Sequence, residues 1–168
     1  MKNYKVIGNP IDHSLSPDLH NFWLKACNID AFYDKEKLEK SQIKDFINTI
    51  RRDQLAGANV TVPFKKIVIP YLDKLSSEAE KTQSVNTIVV ENKKVIGHNT
   101  DVYGFFKAIK NLNFNIKNKK VYILGAGGVA PSIILALNKM EVSQITVSNR
   151  TRQKAENLKN QFNNLKIV

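Results

Sequence analysis

Cys27 is the only cysteine in the 168-residue chain, which rules out an internal disulfide and any metal site built from several thiolates. No metal is expected. Its place at the end of an apolar-looking helix points to a plain buried thiol. Long apolar runs are also missing: nothing approaches the ~20 residues that cross a bilayer. Met1-Lys2-Asn3-Tyr4-Lys5 leads straight into a strand, with no signal-peptide core. A cytoplasmic protein with no membrane partner is the expectation. Internal repeats and low-complexity tracts are absent as well. Acidic residues are few beside basic ones, 15 against 26, for a net charge of +11. The excess is mostly lysine spread along the whole chain, which describes a solvated surface and argues against nucleic acid as a partner.

The chain is 42% hydrophobic, and its length suits one ordinary domain plus a piece of another. The stretch Asn59-Val60-Thr61-Val62-Pro63-Phe64-Lys65 reads as the end of a buried strand. Pro63 has no N–H to continue a ladder, so the strand should stop near Val62. Asn59, Thr61 and Lys65 then sit at the rim where open α/β sheets bind ligands. Taken alone, the same residues also read as a strand with a solvated lysine behind it.

Upstream, residues 5–8 read as a first strand. Ser16 caps a helix with Pro17 in its first turn, and Leu19, Phe22, Trp23 and Ala26 give it one buried face. A second strand falls at 31–33. Ser41 caps a helix with the apolar stripe Ile43, Phe46, Ile47 and Ile50, and a third strand covers 57–62. This βαβαβ alternation favours a mainly parallel α/β sheet. Short helical turns are expected at 67–72, then two strands joined by a tight turn at Asn92-Lys93. Thr100 should cap a helix with Asp101 in its first turn and Val102, Phe105, Phe106, Ile109 and Leu112 on its buried side. The polar residues 111–120 mark a boundary between domains 1–112 and 113–168.

Beyond that boundary a buried strand at 120–124 runs into Gly125-Ala126-Gly127-Gly128-Val129-Ala130 and a helix. G-x-G-x-x-A between a strand and a helix is where a dinucleotide pyrophosphate binds. Gly125 allows the tight turn, Gly127 the close approach of backbone to phosphate, and Ala130 the packing of helix on strand. The next strand ends at Asn149, Arg150, Thr151 and Arg152, with Lys154 close behind. A carboxylate there would hold the ribose of NAD and repel a 2′-phosphate, whereas arginines favour NADP. A ligand-free glycine turn and a solvated basic helix start are the alternatives.

Gly8-Asn9-Pro10-Ile11-Asp12-His13-Ser14-Leu15-Ser16-Pro17, Asn59 to Lys65, Val85-Asn86-Thr87, Asn99-Thr100-Asp101 with Gly104, the Gly125 loop and Asn149-Arg150-Thr151 occur in one order. Together they resemble the shikimate dehydrogenases along essentially the whole chain. The resemblance implies a substrate domain followed by a Rossmann-type domain, and NADP(H)-dependent reduction of 3-dehydroshikimate to shikimate, a step towards aromatic amino acids. It implies that Ser14 and Ser16 hold the substrate carboxylate, that Thr61, Asn86 and Asp101 contact ring hydroxyls, and that Lys65 is the acid/base beside Asp101. His13 stays outside that set. A monomer or homodimer is expected. A complete dinucleotide domain has two mononucleotide halves, and this sequence reaches Val168 after one βα unit, a second strand and part of a helix. The Rossmann part is therefore read as incomplete and the chain as C-terminally truncated, binding shikimate weakly and turning over poorly. A quinate/shikimate dehydrogenase and a non-catalytic shikimate-binding remnant are the other readings.

Overall fold

The computed structural model describes residues 1–168. The chain divides into two compact units, Met1–Ala79 with Val85–His98, and Glu80–Ser84 with Asn99–Val168. It therefore passes between them three times.

The first unit is built on a six-stranded sheet. Its strands are β1 (Lys2–Gly8), β2 (Ala31–Lys37), β3 (Gly57–Val60), β4 (Lys74–Leu75), β5 (Thr87–Glu91) and β6 (Lys94–His98), in the order β2-β1-β3-β5-β6-β4. The pairs β1/β2 and β1/β3 are parallel, as the alternation implies; β4, which the sequence reading lacks, is parallel to β6, and β5 runs antiparallel to both β3 and β6. The β5–β6 hairpin turns at Asn92 and Lys93, both with positive φ, the primed turn that matches the twist of a two-residue hairpin.

One face of the sheet is covered by α2 (Ile43–Arg51), whose Ile43, Phe46, Ile47 and Ile50 are buried as their spacing requires. They pack with Ile7, Val60, Phe64, Val85 and Ile88 in the main core. Ser41 does not cap this helix. A 3₁₀ turn at Lys40–Gln42 precedes it, and a reciprocal Glu39–Gln42 capping box closes the entry.

The other face carries α1 (Ser16–Ala26), and here the structure corrects the sequence reading. Leu19, Phe22 and Trp23 remain 47%, 68% and 49% exposed. The helix docks instead through Pro17, His20, Asn21 and Leu24, another i, i+3, i+4, i+7 face. The Asn21 side chain brackets the Tyr33 backbone, donating to its carbonyl at 2.7 Å and accepting its N–H at 2.9 Å. Leu24 packs on Val6, Ile11 and Tyr33. This polar clamp outweighs the apolar stripe in choosing the face. Cys27, just past the helix, is exposed rather than buried. Ser16 makes no side-chain cap; the Ser14 hydroxyl accepts the Ser16 N–H at 3.3 Å.

The second unit contains the end of α3 (Ser77–Thr82), then α4 (Asp101–Asn111), β7 (Lys120–Leu124), α5 (Ala130–Lys139), β8 (Gln144–Ser148), α6 (Arg152–Glu156) and β9 (Leu165–Ile167). Its three strands are parallel in the order β7-β8-β9. Helix α4 packs here, with Val102 buried and Phe105, Phe106 and Ile109 half-buried against Ile134, Leu137 and Val147. The contact boundary thus lies ahead of the polar stretch at 111–120, because the apolar side of α4 faces α5. Leu112, expected on that side, is exposed. Thr100 gives no cap; the Asn99 side-chain oxygen accepts the Val102 N–H at 3.3 Å. Strand β7 is not buried throughout. As an edge strand it turns Val121 and Ile123 inward and leaves Tyr122 and Leu124 exposed. No helix is long and apolar enough to cross a membrane.

Asp73 ties the first unit together on the α2 side. Its Oδ2 accepts from Arg51 Nη1 at 2.6 Å and from the Val95 N–H at 2.7 Å. These donors, Arg51 foremost, hold the carboxyl below its ordinary value. Its contribution to stability is complete above the unfolded pKa and is lost as pH falls through the lower folded pKa. Asp73→Asn should therefore lower the melting midpoint by on the order of 3 °C near neutrality. In thermal melts across pH, the gap between variant and parent should close below about pH 4.

Candidate functional site

The rim formed by the ends of β1 and β3 is assembled by main-chain bonds between two loops. Thr61 N–H donates to the Ile7 carbonyl at 2.9 Å, and Asn9 N–H donates to the Val62 carbonyl at 3.0 Å. The loops approach so closely that only glycine fits at position 8. A Cβ there would lie 2.7 Å from Thr61 Cγ2 and 3.1 Å from the Val62 carbonyl oxygen. Beyond Gly8 the first loop carries Ser14, whose N–H donates to the Ile11 carbonyl at 2.9 Å, and then Ser16 at the head of α1.

The β3 loop carries Thr61 and Lys65. Strand β3 stops at Val60, two residues earlier than its sequence suggests; the Thr61 N–H makes the last ladder bond to β1, and Pro63 has no N–H to offer. Buried Phe64 anchors the turn in the core, and its N–H donates to the Thr61 carbonyl at 2.8 Å. The Lys65 carbonyl accepts the Val85 N–H at 2.8 Å, which brings the start of β5 beside the lysine.

The antiparallel insertion of β5 has a direct effect here. Asn59 pairs with Thr87, so Asn86, at the beginning of its strand, reaches the same rim as residues at the ends of β1 and β3. Its backbone is fixed on both sides: the N–H donates to the His98 carbonyl at 3.0 Å, and the carbonyl accepts the Val60 N–H at 2.9 Å. Ser14, Ser16, Thr61, Lys65 and Asn86 thus belong to the first unit, and Asp101, in the first turn of α4, to the second.

Three further residues support Asn86: Tyr33 on β2, which lies in no sequence motif, and Asn59 on β3 and Thr87 on β5, which lie in the motifs Asn59 to Lys65 and Val85-Asn86-Thr87. Tyr33 Oη donates to Asn59 Oδ1 at 2.7 Å, and Thr87 Oγ1 donates to Asn86 Oδ1 at 3.1 Å. Asn59 stands out in the sequence as a polar residue near a strand end and as the start of the Asn59 to Lys65 motif; Tyr33 gives no signal, since its partner is set by strand register. No group of three or more His, Cys, Asp or Glu side chains converges as a metal site.

In the second unit the glycine loop joins β7 to α5. Gly125 has φ of +109°, a conformation that a side chain would strain. Its N–H donates to the Ser148 carbonyl at 2.7 Å, and the Ala126 N–H donates to Asn149 Oδ1 at 3.0 Å. Asn149 therefore ties the end of β8 to the loop. The N–H groups of Gly127, Gly128 and Val129 donate to no acceptor in the chain, and a Cβ at either of these glycines would meet nothing within 4 Å. Ala130 is buried in the core beneath. Unsatisfied donors and open space at the start of a ten-residue helix fit a bound pyrophosphate. Arg150, Thr151, Arg152 and Lys154 are exposed beside β8. Arg152 meets Glu156 at 3.3 Å.

This combination defines the class: an α/β protein with a polar sheet rim and the opening βαβ unit of a dinucleotide fold. A family model described as "Shikimate dehydrogenase substrate binding domain" matches residues 6–88, and one described as "Shikimate / quinate 5-dehydrogenase" matches 107–168. The chain belongs to the shikimate dehydrogenase family. It is 53% identical over 167 residues to a shikimate dehydrogenase (NADP(+)) of Pelagibacter ubique, covering 99% of this chain and 63% of that relative. A Nitrosopumilus maritimus protein of the same description is 40% identical, over 94% and 58% of the two lengths. Among solved structures, shikimate dehydrogenase from Aquifex aeolicus matches with a TM-score of 0.93 and 37% identity, over all of this chain and 62% of that one. Shikimate 5-dehydrogenase from Thermus thermophilus, solved with NADP(H) and shikimate, matches with a TM-score of 0.90 and 32% identity, over all of this chain and 63% of that one. The chain thus spans about three fifths of the length of these relatives.

Gly8→Ala should separate the two loops at the rim. The extra methyl meets backbone as well as side chain, so a loss of about 1–3 kcal/mol in chemical denaturation is expected, with amide shift changes centred on residues 61–65.

Proposed function

We propose that this chain serves an enzyme that reversibly reduces 3-dehydroshikimate to shikimate with NADPH. The observation that carries this reading is the single rim to which two interlocked loops and the start of β5 bring Thr61, Lys65 and Asn86. The family relationship and the names of the relatives support it.

In this reading the hydroxyls of Ser14 and Ser16 donate to the substrate carboxylate, while Thr61 and Asn86 bond ring hydroxyls. NADP(H), when held, would supply the hydride for C3 on reduction and accept it on oxidation. Lys65 gives the C3 oxygen its proton on reduction and removes it on oxidation, so charge and atoms balance at that carbon. Asp101 orients the lysine and the neighbouring hydroxyl. The open N–H groups of Gly127, Gly128 and Val129, with Gly125, Ala126 and Ala130 shaping the turn, hold the pyrophosphate. Arg150, Thr151, Arg152 and Lys154 hold the 2′-phosphate, and Asn149 keeps the loop in place for it. The substrate ligands then come from residues 1–112 and the cofactor ligands from 113–168, the first part of a Rossmann fold.

Quinate is a second substrate to consider, since the model matching residues 107–168 is described for shikimate and quinate together. The setting is cytoplasmic and the assembly a monomer or homodimer; light scattering distinguishes the two states.

The test is NADPH absorbance with 3-dehydroshikimate, run beside thermal shifts with shikimate, quinate and NADP separately. A falling absorbance supports the enzyme; stabilisation by shikimate with flat absorbance assigns this chain a binding role only. In an active form, Lys65→Ala should reduce kcat by about 10²–10⁴-fold and change shikimate affinity by less than about tenfold. A parallel loss in both would remove Lys65 from the proton transfer.

A further inference from the structure

We propose that Tyr33, Asn59 and Thr87 form a directed hydrogen-bond relay that fixes which way the Asn86 side-chain amide faces, making them positioning residues for the ligand. The inference rests on the reading of Asn86 as a ligand group.

The direction of the relay follows from counting protons. The Tyr33 hydroxyl donates its one proton to Asn59 Oδ1 at 2.7 Å. With its oxygen engaged, Asn59 directs the two protons of Nδ2 to the Asn86 carbonyl at 3.2 Å and to Thr87 Oγ1 at 3.1 Å. Thr87, now an acceptor from Asn59, has one proton left, and it goes to Asn86 Oδ1 at 3.1 Å. Each amide has one accepting and one donating end, so Asn86 is set with its oxygen towards Thr87 and its NH2 on the opposite side. A flipped Asn86 would take from the Thr87 hydroxyl proton the amide oxygen that accepts it. The relay thus sets the Asn86 amide with its donor side away from Thr87, the polarity that suits an acceptor such as the oxygen of a ring hydroxyl.

The far end is anchored as well. The His20 ring stacks on Tyr33 with centroids 4.1 Å apart and planes 10° apart, and His20 Nδ1 donates to the Ser16 carbonyl at 2.9 Å. Burial raises the Tyr33 pKa well above that of an ordinary phenol, so the hydroxyl keeps the proton that starts the relay. Asn21 also holds the Tyr33 backbone from both sides. The polarity of one rim amide is therefore set from the first turns of α1, through β2, β3 and β5.

The experiment uses the 168-residue chain with Thr87→Val, Thr87→Ser and Tyr33→Phe. In the ligand-free protein, NMR relaxation of the Asn86 side-chain NH2 should show a well-ordered amide in the parent and in Thr87→Ser. It should show a mobile one in Thr87→Val and an intermediate one in Tyr33→Phe. Calorimetric titration with shikimate should show about tenfold weaker binding for Thr87→Val, recovery in Thr87→Ser, and no further loss when Thr87→Val is added to Asn86→Ala. An Asn86 amide equally ordered in all variants overturns the relay, as does a Thr87→Val loss that persists in the Asn86→Ala background. If Thr87→Val does not fold, Tyr33→Phe decides by the same two readouts. If the parent binds no shikimate, the reading of Asn86 as its ligand fails, and the relaxation measurement still decides the relay.

Discussion

The contact on which the rim depends is the crossing of two loops at Gly8. Two main-chain bonds, Thr61 to Ile7 and Asn9 to Val62, close it, and the missing Cβ lets them form. This crossing places the rim residues of the first unit. Ser14 and Ser16 lie downstream on one loop, Thr61 and Lys65 on the other, and Asn86 reaches them because β5 enters beside β3 in reverse. Buried hydrogen bonds of this kind contribute only about 1 kcal/mol each, so their main effect is to define positions. The fully buried side chains of Ile7, Val60, Phe64 and Ile88 directly beneath supply the stability that lets positions be held.

The second unit follows the same plan with different means. Its loop is shaped by a left-handed glycine and held by a side chain, Asn149, from the neighbouring strand. An asparagine there closes the loop and leaves the basic residues after it facing solvent. One short segment thus combines a structural and an electrostatic task, which suits a ligand with two separate phosphate groups.

Much of this was legible from sequence, and the failures have physical causes. The strands beside the glycine loop, the stripe of α2 and the Asn92-Lys93 turn depend on local spacing and turn chemistry, and they formed as read. The stripe of α1 misled because periodicity marks every apolar face alike, while Asn21 committed the helix to a different one. The run 120–124 looked buried because its apolar residues are continuous; its place at the sheet edge was not written locally. In place of the caps at Ser16, Ser41 and Thr100, side chains one or two residues away, Ser14, Glu39 with Gln42, and Asn99, accept the open N–H groups. Asn86 could be found by resemblance, but its supporting tyrosine could not. That contact needs the registers of β1, β2, β3 and β5 at once, and no window of sequence contains them.

The three passages of the chain between its units, at 79/80, 84/85 and 98/99, have a consequence for how the protein comes apart. Neither unit is a continuous segment, so no single cut releases either one. A protease that opened the passage at 98/99 would leave residues 80–84 of the second unit attached to the first. During synthesis, likewise, the first sheet cannot close until β5 and β6 have left the ribosome. By then the chain has already contributed residues 80–84 to a unit whose remaining elements are still to come.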